Sequence, residues 1–182
     1  MDISELKVEL ERLHVASFGW ALSCCRHNHA EAEEVLQLVY LKILQGKACY
    51  RGECKLQTWL FSVIRNTAIS ERRKTLVRAL ANIPNGFSNG EVEPEVELER
   101  SQMQQQFRLA LENLPRRQRE TLHLVFYQDL SLREAAQVMG VSIGSARRHY
   151  ERGKQQLRKA FDREEVAYEF GWRRKENSGA VS

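Results

Sequence analysis

The chain has 182 residues, of which 42% are hydrophobic and 29% charged, with a formal net charge of +4; that suffices for one ordinary domain or two small ones of the soluble, mostly helical kind. It contains no run of about 18 apolar residues, so a transmembrane helix and membrane insertion are excluded. The start MDISELKVELERL is acidic and amphipathic, unlike a signal peptide, and the expected location is cytoplasmic.

Positions Ile3, Leu6, Leu10, Leu13, Ser17 and Trp20 form a helical stripe that continues to about Cys25. RHNHAEAE breaks it, and a second stripe, Val35, Leu38, Val39 and Ile43, runs to about Gln45 with Glu31, Glu33 and Glu34 in its first turn, where they complement the helix dipole. GKACYRGECK reads as a loop. A third helix starts near Leu56, turns Trp59, Leu60, Val63, Ile64 and Ile69 inward and ends in the basic run Arg72, Arg73, Lys74. From about Ala79 to Glu97 the apolar period dissolves into prolines, asparagine–glycine pairs and acids, which predicts a flexible linker. Helical pattern resumes from about Leu98 to Leu114, and Pro115 opens a further helix with Leu122, Val125 and Phe126 inward. Ser131 caps a short helix from Leu132 to Met139, Gly140 permits a sharp turn, and Ser142 caps a final long helix. The tail after Asp162 ends in residues expected to be disordered.

Charge follows the same division. Residues 1–80 carry +3, residues 81–114 carry −4 and residues 115–182 carry +5, which suggests two polyanion-facing modules joined by an acidic connector. The last helix has two faces. Ile143, Ala146, Tyr150, Leu157 and Phe161 lie on one side, and Arg148, Glu151, Arg152, Gln155 and Lys159 on the other. Such a helix packs on its own domain while presenting guanidinium and amide groups to a major groove. With the short helix before it, it forms a helix-turn-helix, in which Ala135 and Ala136 allow close approach. The basic start Pro115-Arg116-Arg117-Gln118-Arg119 suits phosphate contact.

In the first module aromatics and bases interleave at Tyr50, Arg51, Lys55, Trp59, Phe61, Arg65, Asn66, Arg72 and Arg73, a mixture suited to single-stranded nucleic acid; the alternative is that Trp59 and Phe61 are core, which is favoured for Trp59, and periodicity does not decide between them. The cysteines Cys24, Cys25, Cys49 and Cys54, with His27 and His29 nearby, match no standard ligand spacing, so no metal and no cofactor is expected. No nucleophile–base arrangement or phosphate loop appears, and no enzymatic activity is expected. Two readings stay open on the residues alone: a dimeric helix-turn-helix regulator with residues 1–78 as a sensor, and a metal- or redox-sensing interaction protein.

The order of these segments resembles the extracytoplasmic-function group of bacterial sigma-70 factors. AEAEEVLQLVYLKIL is similar to their region 2.2, TWLFSVIRNTAISERRK to regions 2.3 and 2.4, and LENLPRRQRETLHLVFYQDLSLREAAQVMGVSIGSARRHYERGKQQLRKAF to region 4. The resemblance implies an all-α protein of two small helical domains joined by a flexible linker: region 2 at 1–78, the linker at 79–97, region 4 at 98–162 and a tail at 163–182. It implies docking of the region 2.2 helix on the β′ clamp helices of core RNA polymerase through Glu34 and Gln37, and a further contact with the β flap. Asn66 matches the residue that reads a flipped base of the −10 element, and Tyr50, Arg51 and Gly52 match the loop that forms the pocket for that base. Arg148, Glu151 and Arg152 match positions facing the −35 major groove, with Ser145, Arg147 and Arg116 placed for phosphates. Promoter DNA, core polymerase and an anti-sigma factor are the implied partners. Leu38 stands where the family usually has an acid, and the tail has no clear match.

Overall fold

The structure is a computed structural model that describes residues 3–81 and 109–160. Among the described residues all regular structure is helical, in agreement with the all-α expectation. The helices are α1 (Ile3–Arg12), α2 (His14–Cys24), α3 (His29–Leu44), α4 (Leu56–Ala81), α5 (Arg116–Phe126), α6 (Leu132–Met139) and α7 (Ile143–Ala160). None of them is long and apolar enough to cross a membrane. Residues 82–97 of the expected linker, most of the expected 98–114 helix, Phe161 and the tail lie outside the described residues.

The stripe expected to run unbroken to Cys25 is interrupted at Leu13, yet Leu13 N still donates to Glu9 O and Ser17 N to Leu13 O, so the hydrogen-bond ladder bends without stopping. Arg26 and His27 then both take positive φ, 57° and 64°, a conformation that L side chains resist. Asn28 restarts the chain as the N-cap of α3, accepting from Glu31 N at 3.0 Å. Along α3 the buried positions are Ala32, Val35, Leu36, Val39 and Ile43. Leu36 therefore takes the core place expected of Leu38, which is half-buried; both satisfy a period of three and four, and the 3.6-residue turn favours Leu36. Trp20 is fully buried, its ring against Phe61 of α4 and His123 of α5, and its Nε1 donates to Phe61 O at 3.0 Å. The long helix α4 runs past the basic run to Ala81, with Leu76, Val77 and Leu80 exposed on its last turns.

The second body is the helix-turn-helix with α5 packed behind it. Ser131 and Glu134 form a reciprocal capping box at the start of α6. Gly140, at φ 63°, ends α6 in the left-handed conformation, and Val141 N donates back to Ala136 O at 3.0 Å, closing the Schellman turn that swings α7 away. Ser142 Oγ accepts from Ser145 N at 3.2 Å and caps α7 as expected. Pro115 stands one place earlier than expected, as the N-cap of α5. Of the expected inward stripe of α7, Ala146 and Leu157 are buried and Tyr150 stacks on Phe126 with ring centroids 5.8 Å apart. Ile143, by contrast, is 47% exposed, because the turn at Gly140 holds the first residue of α7 clear of α5. Gly153 fills the remaining inward slot, where α5 and α7 come closest: a Cβ there would lie 2.9 Å from Leu122 Cδ1.

The two bodies do not stand apart. Leu124, Leu130, Ala135, Val138 and Met139 of the second body belong to the same buried cluster as Trp20, Leu60, Phe61 and Ile64 of the first. α2 packs on α5 and α4 packs on α6. A smaller cluster of Leu114, Leu122 and Leu157 holds α5 to α7.

Candidate nucleic-acid interface

The outward face of α7 carries Arg147, Arg148, Glu151 and Arg152, all exposed. Among the described residues the three arginines make no ion pair or side-chain hydrogen bond, and Glu151 only approaches Lys154 at 4.0 Å. The buried side of the same helix, anchored by Ala146, Gly153 and Leu157, fixes which way these groups point. His149 lies between the faces, and its basicity is lowered by partial burial and then by the guanidinium groups of Arg117, Arg148 and Arg152, which shows how positive this surface is. Ser145 is half-buried in the first turn, its hydroxyl 3.0 Å from that of Ser142. Arg116 is already engaged: its Nε donates to Glu120 Oε1 at 2.7 Å, so only its terminal nitrogens remain for a phosphate.

On the first body Asn66 is exposed on α4. Tyr50 folds back from the loop: its hydroxyl donates to Cys54 O at 2.6 Å and its ring lies 5.5 Å from that of Trp59. Trp59 precedes Asn66 by seven residues, hence on the same helix face and about 10 Å along the axis. The loop that carries Arg51 and Gly52, with Gly52 at φ 76°, is thus tied to the face that presents Asn66, and Arg51 and Gly52 are exposed. Trp59 is half-buried, at the rim of the core more than in it. Two residues of the interleaved set are corrected. Phe61 is 0% exposed and cannot stack on a base, and Arg65 is 5% exposed and turned toward the second body. The interleaving of aromatics and bases suits both to a nucleic-acid face, with core as the alternative for Phe61, and it gives no sign that a second body covers that side of α4.

Glu34 and Gln37 are exposed on α3. Leu41 and Leu44, at helical spacing from them, are exposed too, so this face is a mixed polar–apolar strip that sequence reasoning reached only at its first half. The i+7 step from Glu34 to Leu41 is the signal that would have extended it.

Between the bodies lies a charged contact missing from the sequence reading. Glu120 of α5, 1% exposed, accepts from Arg65 Nε at 3.1 Å through Oε2 and from Arg116 Nε through Oε1. Arg72 and Arg119 lose basicity nearby, first through burial and then through the closeness of Arg26 and Arg116. His123 packs on Trp20 at 5.3 Å and on Tyr127 at 5.3 Å. Its Nε2 lies 3.1 Å from Gln128 Nε2, an amide nitrogen that can only donate, so the imidazole accepts and is neutral. Burial, with a lesser contribution from His27, depresses its pKa to about 4. At the rim Lys55 Nζ meets Glu134 at 2.8 Å; that lysine and the Ser131 cap together lower the Glu134 pKa to about 2. No group of three or more His, Cys, Asp or Glu able to hold a metal ion occurs among the described residues.

A helix-turn-helix with a free basic outer face, borne on a larger helical body, defines a DNA-binding regulator of transcription. The family comparisons make this specific: the sigma-70 region 2 profile matches residues 10–76 and the sigma-70 region 4 profile matches residues 104–157. The chain belongs to the sigma-70 family, in its extracytoplasmic-function branch, and is a factor of transcription initiation. Similar proteins include the RNA polymerase sigma factor YlaC of Bacillus subtilis, 27% identical over 74% of this chain and 80% of that one, and the ECF RNA polymerase sigma factor EcfG of Rhodopseudomonas palustris, 26% identical over 71% of each. Among solved structures, the sigma factor RpoE in complex with the anti-sigma factor NepR from Bartonella quintana shares the fold at a TM-score of 0.71, with 24% identity, over 87% of this chain and 97% of that one.

Proposed function

We propose that residues 1–78 act as the core-polymerase and −10 module and residues 98–162 as the −35 module of this sigma factor, joined by the 79–97 linker and followed by a tail at 163–182. The two-faced helix α7 carries the reading: its buried side leaves Arg148, Glu151 and Arg152 free for base edges in the −35 major groove, with Arg147, Ser145 and the remaining nitrogens of Arg116 on phosphates. Asn66 reads the flipped −10 base, and Tyr50, Arg51 and Gly52 line its pocket; capturing that base helps offset the few kcal/mol of unstacking. Glu34 and Gln37, continued by Leu41 and Leu44, dock on the β′ clamp helices, while the second body meets the β flap. The protein works in the cytoplasm, as a non-catalytic factor, under an anti-sigma partner of the kind named for the Bartonella quintana relative.

In vitro transcription with purified core polymerase and a genomic template library, followed by mapping of start sites, tests this. The expected result is a set of starts that share one −35 and one −10 sequence and vanish when the factor is omitted. Tight, polymerase-independent binding to a palindromic duplex would contradict it and favour a stand-alone regulator.

A further inference from the structure

The contact between the bodies has a functional consequence. The names of the −10 and −35 elements place them about 25 base pairs apart, roughly 85 Å along duplex DNA at 3.4 Å per base pair. A compact body of roughly 130 residues has a radius of gyration near 14 Å and a diameter of about 36 Å. In the structure the residue next to Asn66, Arg65, is hydrogen-bonded to Glu120 of α5, the helix packed against the −35 reader α7. Both promoter elements cannot be engaged from that arrangement. The linker between Ala81 and Leu98 is 17 residue steps long and extends to about 58 Å, so the bodies can part without breaking either fold.

We propose that this closed arrangement is a latched, self-inhibited state of the free factor, held at Glu120 by Arg65, and that it must open when core polymerase binds. The inference rests on the sigma-factor reading above. Glu120 is suited to the part because it faces both ways: Arg116 holds it on its own helix, and Arg65 reaches it from α4. A carboxylate and a guanidinium buried together set a defined register, and removing one partner leaves the other buried and uncompensated. Without the charge of Glu120, the guanidinium groups of Arg65, Arg116 and Arg119 face one another at the junction, and parting the bodies returns Arg65 to water. The apolar share of the contact, Trp20 and Phe61 against Leu124 and Met139, lends the closed state affinity. The charged pair decides whether the closed register is available. A latch of this kind lowers the apparent affinity for polymerase by the fraction of chains that are open.

The rim pair gives a direct readout. Lys55 Nζ and the Glu134 carboxylate are 2.8 Å apart, so a zero-length carbodiimide should join them by an amide bond in the free full-length protein, seen as one crosslinked peptide pair by mass spectrometry. The expected results are that this crosslink forms in the free wild type and disappears when core polymerase is added in excess. Glu120→Gln and Arg65→Met should both reduce it, and both variants should bind core polymerase at least about threefold more tightly. Two substitutions on different bodies guard against local misfolding, since a disrupted α5 would not be reproduced from α4; the helical circular dichroism of each is measured alongside. Absence of the crosslink in a natively helical wild type overturns the closed state. Unchanged polymerase affinity in both variants overturns its inhibitory role. Failure of the wild type and both variants to bind polymerase at all sinks the sigma-factor reading itself, and the latch with it.

Discussion

Replacing Gly153 with alanine should destabilise the protein, although Gly→Ala inside a helix ordinarily does the reverse. Helix propensity alone favours alanine by about 0.8–1 kcal/mol. At position 153 the new methyl would sit 2.9 Å from Leu122 Cδ1, 3.2 Å from Leu122 Cγ and 3.3 Å from Gln118 Cβ. Leu122 is buried in the cluster that joins α5 to α7, so its side chain has little room to turn aside, and overpacking of this kind costs about 1–3 kcal/mol. The balance is a net loss of about 0–2 kcal/mol. Gly144, in the first turn of the same helix, is the internal control: nothing lies within 4 Å of its added Cβ, so alanine there should gain about 0.5 kcal/mol. At about 2–4 °C per kcal/mol for a chain of this size, the two melting temperatures should separate by roughly 1–10 °C, with Gly153→Ala the lower. Circular dichroism melts and urea titrations at matched concentration measure this. If Gly153→Ala proves as stabilising as Gly144→Ala, the close approach of α5 and α7 is not as described.

Stability should also fall in acid through His123. Its folded pKa of about 4 lies below the ordinary value of 6.5, so its contribution is complete above pH 6.5 and is lost as the pH drops toward 4, by about 2 kcal/mol at pH 5. Urea midpoints between pH 7.5 and 4.5 should show this loss, and His123→Gln should remove that share of the pH dependence; identical profiles would mean the imidazole is not buried neutral. Arg148→Ala or Arg152→Ala should cost about 1–3 kcal/mol at one −35 position and little elsewhere, measured by binding of the polymerase complex to single-base promoter variants, and an equal loss on every sequence would reduce these residues to phosphate contacts. Asn66→Ala should impair opening at the −10 element, read by permanganate reactivity, while leaving polymerase affinity unchanged; a collapse of that affinity would make the residue structural.

What could be read in advance followed from how local each determinant is. Ser131, Gly140 and Ser142 act within a turn of their own positions, so caps and the helix-turn-helix corner were legible residue by residue. The exchange of Leu38 for Leu36 arose inside a stripe where neighbouring leucines satisfy the same period. Arg65 and Glu120 were illegible for a different reason: each looks like a surface charge on its own helix, and 55 residues separate them. The choice for Phe61 between core and a nucleic-acid face stays open in the sequence for the same cause, since α5 and α6 carry a second apolar face, Leu124 with Val138 and Met139, that serves the other body. One-dimensional periodicity counts apolar faces but does not pair them. At the candidate site, the outward arginines of α7 and the exposure of Asn66 agree with the reading from sequence, whereas the engagement of Arg116 by Glu120 required coordinates.

The shared core also bears on synthesis. The covering residues of α6 end at Met139, 58 residues after α4 is complete at Ala81. At about 5–20 residues per second on the ribosome, the face of α2 and α4 that holds Phe61 and Arg65 stays uncovered for roughly 3–12 seconds in every newly made molecule. During that interval the N-terminal half exists without its cover, so nascent chains pass through an unlatched form that finished ones regain only by opening.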